Sequence, residues 1–417
     1  MTAAVAPAAG PDLGRLRAAT AAAVDFYRVQ LARTDRLHTY LQQRQLQALV
    51  NRAQPWQIGH APAGWQTLTR HLRSAGFTDD ELVAAGLCHR DRTDRSRLYD
   101  VFRDRLVFPI RDQHGPVGFT GRATPHAPPD VPKYVNTAAT ALYDKSALLF
   151  GLAEQHERIA RGWPIALVEG PTDVLACWLS YARSDEPGVV ALAPCGTALT
   201  DTQAAIVCRL PGAQHAIIVA FDGDNAGRTA ITKAWQLLHA RHPSRLLRAA
   251  ALPPGTDPAA LLARPNGRAQ VRAVLHSQTR PLLDAVVDHR LNGWLTRWPR
   301  LLEDVDGRCH AARGLVDLMF EADDREEAVR VARQIVRRTR VHPEVITQLT
   351  LEHVEAALAE ATATANRPGR SGPGPPAPAP APAQAFPPLH LLARQPARSP
   401  SGAPSAPARP GPTTRSR

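Results

Sequence analysis

Apolar residues recur at helical spacing over residues 13–51, with Phe26, Tyr27, Leu31, Leu37 and Leu41 marking the pattern. A Gly- and Pro-bounded stretch, Gly59-His60-Ala61-Pro62, precedes a second helical run at 65–74. Thr78-Asp79-Asp80-Glu81 predicts a capping box, with Thr78 as N-cap and Glu81 three positions on. The period then changes. Arg105 to Arg111 and Pro116 to Arg122 alternate apolar and polar positions around Gln113-His114-Gly115, which predicts a β-hairpin.

From Trp163 the chain alternates short apolar runs with helical segments. Residues 165–168 lead to a helix at 173–181, and 189–193 lead through Pro194-Cys195-Gly196 to one near 201–210. Residues 216–221 lead through Asp222-Gly223-Asp224-Asn225-Ala226-Gly227 to a helix at 228–240, and 247–252 lead to a short helix after Pro258. Continuous apolar runs in such an alternation predict a compact parallel sheet buried on both faces. Residues 281–360 read as charged helices, predicted to form a separate small bundle. Beyond Ala361 the chain is Pro/Ala/Ser/Gly-rich, with 15 Pro, too poor in apolar residues to fold. Its one apolar island, Phe386 to Leu392, fits a docking peptide or an inert patch equally.

Composition changes this picture in two ways. The formal charge of +12 points to a polyanionic partner, nucleic acid first. Seven Arg and no acid fall after residue 365, however, so the rest carries only +5, and a basic groove must be argued residue by residue. The five cysteines lie far apart with no Cys-x-x-Cys pair, so zinc is not expected, and Cys177 and Cys208 read as small core residues. The Met1–Gly10 start lacks the features of a secretion signal and no apolar run reaches membrane-spanning length, so the expectation is a cytoplasmic protein without membrane association.

The candidate chemistry lies at strand ends. Glu169 follows one apolar run, and Asp222 and Asp224 follow another. Ligands of open α/β sheets sit beyond the carboxyl ends of the strands, so the three carboxylates are expected to converge at one rim. Their hard oxygens suit Mg²⁺, the usual companion of phosphoryl chemistry, and also Mn²⁺. An Asp-x-Asp after a strand also resembles the haloacid dehalogenase phosphatases, which need a Lys and further acids downstream; here Lys233 is the only later lysine. Asp257, just before Pro258, fits a helix N-cap or an outer acid of the metal site.

Glu169-Gly170 with Asp173, the strand ending in Cys195-Gly196-Thr197-Ala198-Leu199, and Asp222-Gly223-Asp224-Asn225-Ala226-Gly227-Arg228 together resemble a Toprim domain. That fold is shared by bacterial DnaG-type primases, topoisomerases and some nucleases. Upstream, Arg105 to Arg122, Pro132-Lys133-Tyr134-Val135-Asn136-Thr137, Tyr143-Asp144-Lys145 and Leu149-Phe150-Gly151-Leu152 resemble the N-terminal half of the DnaG primase catalytic core, as does Ile58-Gly59-His60-Ala61-Pro62 with Gly64-Trp65. The resemblance covers roughly residues 13–350. It implies an α/β fold: a mixed α/β subdomain at 13–160, a Toprim, Rossmann-like parallel sheet at 161–265 and a helical subdomain at 270–360. Disordered segments are expected at 1–12 and 361–417.

The same resemblance implies a nucleotidyltransferase that makes short RNA primers on single-stranded DNA from ribonucleoside triphosphates. Asp222 and Asp224 then hold one or two Mg²⁺ ions, and Glu169 is a third ligand or the base for the attacking hydroxyl. Asp173 belongs to that metal site or is a first-turn helix acid. Two of the three lysines, Lys133 and Lys145, fall within 13 residues of a chain that otherwise uses Arg, in the region where the family places a basic ridge. Arg111, Arg122, Lys133 and Lys145 are the nucleotide- and DNA-binding candidates, with Asn136 as a polar helper and Arg228 just after the Asp pair. Arg111 and Arg122 also fit as simple flanks of the hairpin, and Tyr134 fits a base-stacking or a core role. The chain departs from the family in lacking a recognisable zinc-binding module and helicase-binding domain. The expectation is that another protein, such as a separate zinc-finger protein, supplies the zinc function, or that the chain primes a mobile element in a specialised way; the replicative helicase is the other partner candidate. A Toprim nuclease or topoisomerase and a non-catalytic single-strand-binding accessory protein are the competing readings.

Overall fold

Strand residues alternate between faces, and here each face feeds a different core. The structure, a computed structural model, describes residues 12–365 apart from 52–53, 126, 182–187, 197 and 222–224. The side chains of 225–229, 360, 361 and 363–365 are likewise outside the described set. The predicted disordered ends and the apolar island at 386–392 therefore lie outside the described residues, except that Asp12 caps the first helix and the last helix runs to Ala365.

The long N-terminal helical run is broken at Arg33-Thr34 into α1 (Leu13–Ala32) and α2 (Asp35–Gln43). Gly59–Ala61 forms β1, too short for its periodicity to reveal it. A Cβ on Gly59 would lie 2.5 Å from the Tyr27 Cβ, so only glycine lets this strand approach α1 so closely. Then come α3 (Thr67–Ser74) and α4 (Asp79–Ala84), which opens with the predicted Thr78–Glu81 capping box. A two-stranded ribbon, β2 (Cys88–Arg90) and β3 (Leu98–Asp100), precedes the predicted hairpin of β4 (Arg105–Asp112) and β5 (Gly115–Ala123). With β6 (Tyr134–Asn136) these form an antiparallel sheet ordered β1-β4-β5-β6. Val107 and Phe119 pack toward α1, while Leu106, Phe108 and Ile110 pack toward the second sheet.

That second sheet is built on the apolar runs read from the sequence. After β7 (Leu149–Phe150) and α5 (His156–Ala160) come β8 (Ile165–Val168), α6 (Pro171–Ser180), β9 (Val190–Pro194), α7 (Asp201–Cys208), β10 (Ile217–Ala220), α8 (Asn225–His239) and β11 (Leu247–Ala250). Next follow α9 (Pro258–Leu262), α10 (Gly267–Leu275) and β12 (Thr279–Pro281). The order is β12-β11-β10-β8-β9-β7, with β11, β10, β8 and β9 parallel and the two edge strands antiparallel. Ile165, Leu167, Ile217 and Val219 point into one core; Ala166, Val168, Ile218 and Ala220 point into the other, beneath α6, α9 and α10.

The helical segment corrects one expectation. α11 (Leu282–Arg297), α12 (Val305–Arg313), α13 (Arg325–Thr339) and α14 (Pro343–Ala365) are helices as predicted, but they do not form a separate bundle. Leu282, Val286, Val331 and Ile335 share one core with Ile165, Ile217 and Trp235 of the sheet layer. The charged pattern showed the solvent faces of these helices but not which neighbour covers the apolar ones. Cys177 is buried, Cys208 is half-buried, and all five cysteines are free. No described helix is long and apolar enough to cross a membrane.

Candidate active site and nucleic-acid interface

Glu169 is exposed at the carboxyl end of β8, immediately before the turn into α6. Val168 lies beside Ala220 in the parallel register, so the positions that follow β8 and β10 emerge side by side at one rim. Asp222 and Asp224 follow β10 in sequence but lie outside the described residues. Among the described residues no cluster of three or more His, Cys, Asp or Glu is assembled. Glu169 offers an accessible carboxylate at the strand end, a hard oxygen donor of the kind that fits Mg²⁺ or Mn²⁺.

The antiparallel sheet delivers its cationic edge to this rim. Tyr134, opposite Arg122 in the β5–β6 ladder, receives a hydrogen bond at its hydroxyl from Arg122 Nη1 at 2.7 Å. The same nitrogen donates to Thr172 Oγ1 at 3.2 Å, and the Tyr134 and Thr172 hydroxyls are 3.3 Å apart. Thr172 stands three residues beyond Glu169 in the first turn of α6. Burial works against the Arg122 charge, but Tyr134, Tyr40 and Asp173 outweigh it and its pKa is raised. Lys133 is exposed next door, its Nζ 5.9 Å from the Tyr134 ring centroid. Asn136 donates from Nδ2 to the Cys195 carbonyl at 3.1 Å and bonds Thr120 through Oδ1, so it fastens the loop after β9.

Lys145 is also exposed, on a loop pinned to the start of α7: Gln203 Nε2 donates to the carbonyls of Lys145 and Leu148, and Thr200 Oγ1 to that of Ser146. Leu149 pairs with Pro194 at the end of β9, which puts the loop beyond the same carboxyl edge, two strands from Glu169 and so on the order of 10 Å away laterally. Arg228 lies in α8, after the Asp pair, with its side chain outside the described set. Thr172, Tyr134 and Gln203 are fasteners that sequence reasoning missed in these roles. Neutral hydroxyls and amides carry no signal until their partners are known.

Asp173 faces inward. It is buried in the first turn of α6, and its Oδ1 accepts the Ala259 amide of α9 at 3.2 Å, while Asp257 is the N-cap that accepts from Ala260 at 2.5 Å. Asp173 thus ties α6 to α9 through Oδ1, while its Oδ2 lies toward Gly170, the neighbour of Glu169. Asp173→Ala is expected to cost about 1–3 kcal/mol in urea unfolding, because a buried amide loses its acceptor. Asp173→Asn, which keeps an acceptor oxygen, should recover most of that loss and leave the Mg²⁺ requirement of any activity within about twofold; a metal ligand would show the reverse pattern.

Arg111 is not brought to this rim. It lies at the turn end of the hairpin, opposite Pro116, whereas Arg122 lies opposite Leu106 at the other end, about 17 Å along the strand. Its Nε is 3.8 Å from Oε1 of the buried Glu154, and its Nη2 bonds Gln57. Burial pushes the Glu154 carboxyl up to about 7, against a downward pull from Arg111, and burial also lowers the Arg111 pKa. A folded-state pKa above the unfolded value of about 4.5 means the native state holds the extra proton. The resulting stability is full below about pH 4.5 and is lost as pH rises through about 7. Arg111→Met should therefore cost about 3 kcal/mol at pH 8, where it leaves a buried charge, and clearly less at pH 6. Urea unfolding at both pH values checks this.

Comparison with known proteins agrees with this architecture. Residues 26–156 match the family described as DNA primase catalytic core, N-terminal domain, and residues 166–262 match a Toprim-like family. The RNA polymerase domain of Mycobacterium tuberculosis primase DnaG, solved in complex with double-stranded DNA, is 32% identical with a TM-score of 0.62, over 79% of this chain and 98% of that one. A DnaG primase catalytic domain bound to single-stranded DNA is 26% identical with a TM-score of 0.58, over 79% of this chain and 96% of that one. The DNA primase of Mycolicibacterium smegmatis is 34% identical over 328 residues, 77% of this chain and 48% of that protein. The chain thus spans about half the length of the curated relatives it matches.

Proposed function

Because the chain belongs to the DNA primase family, we propose that it joins ribonucleoside triphosphates into short RNA on a single-stranded DNA template. The observation that carries this reading is the Arg122–Tyr134–Thr172 contact, which fixes a cationic sheet edge three residues from the exposed Glu169. A polymerase needs such a neighbourhood: cations for template and triphosphate on one side, carboxylates on the other. The working divisions are 13–160 for the subdomain carrying the cationic edge, 161–265 for the Toprim sheet and 270–360 for the helical segment.

The 3′-hydroxyl oxygen of the growing strand attacks the α-phosphorus of the incoming nucleotide. A new P–O bond forms, the bond to the bridging oxygen breaks, and pyrophosphate leaves. Asp222 and Asp224 would hold Mg²⁺, which supplies charge neutralisation at the attacking and leaving oxygens. Glu169 takes the proton released by the hydroxyl, as an accessible carboxylate at the same rim. Lys133 and Lys145 are compact charges suited to phosphates, and Arg122 is a fixed cation beside the first turn of α6. Template and triphosphates place the reaction in the cytoplasm. Incubation of the full chain with single-stranded DNA, labelled ribonucleotides and Mg²⁺ should give oligomers that disappear in Asp222→Ala. Cleavage of the DNA, or retardation without product, would sink the proposal.

A further inference from the structure

A cleft of about 490 Å³ lies between the loop after α2 and the α9–α10 turn. Arg264, Arg268 and Arg272 line it at four-residue spacing, and no acid does. Among the described residues none of the three forms an ion pair, whereas Arg280 and Arg330 of the following segment pair with Asp288 and Asp284. Two of the guanidinia are nevertheless fixed in place. Arg264 Nη2 donates to the Thr256 hydroxyl at 3.2 Å, and Arg272 Nη1 to the Ser180 carbonyl at 2.8 Å. A guanidinium has five N–H groups, so one bond orients it and leaves donors for the cleft. Arg268, half-buried between them in sequence, makes no hydrogen bond among the described residues.

The backbone of the cleft is costly too. Gln45 and Asn266, which line it from its two sides, have φ of 58° and 57°, a left-handed conformation uncommon outside glycine. Like charges gathered without an acid add a repulsion that a bound anion would offset. Their spacing selects the anion. Arg268 and Arg272 sit four apart on α10, with Cβ atoms about 6 Å apart, and Arg264 precedes them. A lone phosphate reaches one or two such groups; a chain of two or three phosphates reaches all three.

We propose that this cleft binds the di- or triphosphate group of a small molecule, pyrophosphate or a nucleotide, at a site separate from the active rim. Arg272 meets the last residue of α6, about 12 Å along that helix from Thr172. α9 connects the two places. Leu262 lines the cleft, and Ala259, three residues earlier, donates its amide to Asp173 beside the turn that follows Glu169. The proposal stands independently of the polymerase reading.

Isothermal titration calorimetry of the full chain carrying Asp222→Ala, without divalent cation, tests it with pyrophosphate, ATP, inorganic phosphate and (dT)12 as titrants. Pyrophosphate should bind one site per chain, at least about tenfold more tightly than inorganic phosphate. Arg268→Ala should weaken pyrophosphate about 10- to 100-fold and Arg268→Lys less, while Lys133→Ala at the rim should leave it within about twofold. Arg268 holds no other group in place, so its variants should keep the wild-type unfolding midpoint. ATP equal to pyrophosphate assigns the site to the phosphate chain alone, and tighter ATP assigns it to a nucleotide. Unchanged pyrophosphate binding in Arg268→Ala, equal affinity for inorganic phosphate, or tighter binding of (dT)12 that Arg268→Ala abolishes would each overturn the proposal. RNA synthesis by the wild type is read separately and bears on the polymerase reading alone.

Discussion

Glu169→Gln is expected to lower template-dependent RNA synthesis by at least about 100-fold while leaving the unfolding midpoint within about 2 °C of the wild type. Glu169 is exposed at the end of β8, so the change opens no cavity and buries no new polar group. Glutamine keeps an oxygen that can coordinate a cation but cannot take up a proton at neutral pH. A base at this position therefore predicts a fall in turnover with little change in the Mg²⁺ concentration needed for half-maximal rate. A Mg²⁺ requirement that rises steeply, with turnover recovered at saturation, would assign Glu169 to the metal instead. Steady-state rates across a Mg²⁺ titration, with thermal unfolding as the control, make the distinction.

Arg122→Ala has the second largest expected effect, and it acts on two quantities at once. The substitution strips the donor from the Tyr134 and Thr172 hydroxyls where the antiparallel sheet meets α6. Loss of these hydrogen bonds from a charged donor should cost about 2–3 kcal/mol in urea unfolding. Loss of the fixed cation should reduce the salt slope of single-strand binding by about one, and synthesis should fall about 10- to 100-fold. Arg122→Lys separates the two roles: it keeps the charge and the salt slope but cannot reproduce the fork, so stability falls and binding largely survives. An alanine variant with wild-type stability and salt dependence would remove Arg122 from both roles.

Much of this arrangement is legible in the sequence for identifiable physical reasons. β8 coincides with its apolar run because a strand buried on both faces has no polar position to blur its ends. The β4–β5 hairpin and the Thr78 capping box are equally local, each specified by a few neighbouring residues. Short edge strands are not: β1 and β7 have three residues or fewer, and their partners β4 and β9 lie more than forty residues away in sequence. The shared core of the helical segment is illegible for the same reason, since Leu282 and Val331 look like any bundle residues until Ile165 and Trp235 are beside them.

The candidate site divides along the same line. Residue type and strand-end position were enough to single out Glu169, and the structure puts it at an accessible rim. Arg111 and Arg122 flank the hairpin symmetrically in sequence, and only the ladder shows that one meets Thr172 while the other meets Glu154. Asp173 reads as a first-turn acid of α6, and only the structure shows the Ala259 amide of α9 against it.

The central claim is that base pairing with a DNA strand dictates which ribonucleotide is joined at the rim of Glu169, Asp222 and Asp224. Sequencing the RNA made by the full chain on a mixed-sequence single-stranded DNA circle, and on its complement, tests this most directly. The account predicts short RNAs complementary to whichever circle is supplied, absent without divalent cation and absent in Asp222→Ala. RNAs of the same sequence on both circles, or nicked circles without RNA, would contradict it.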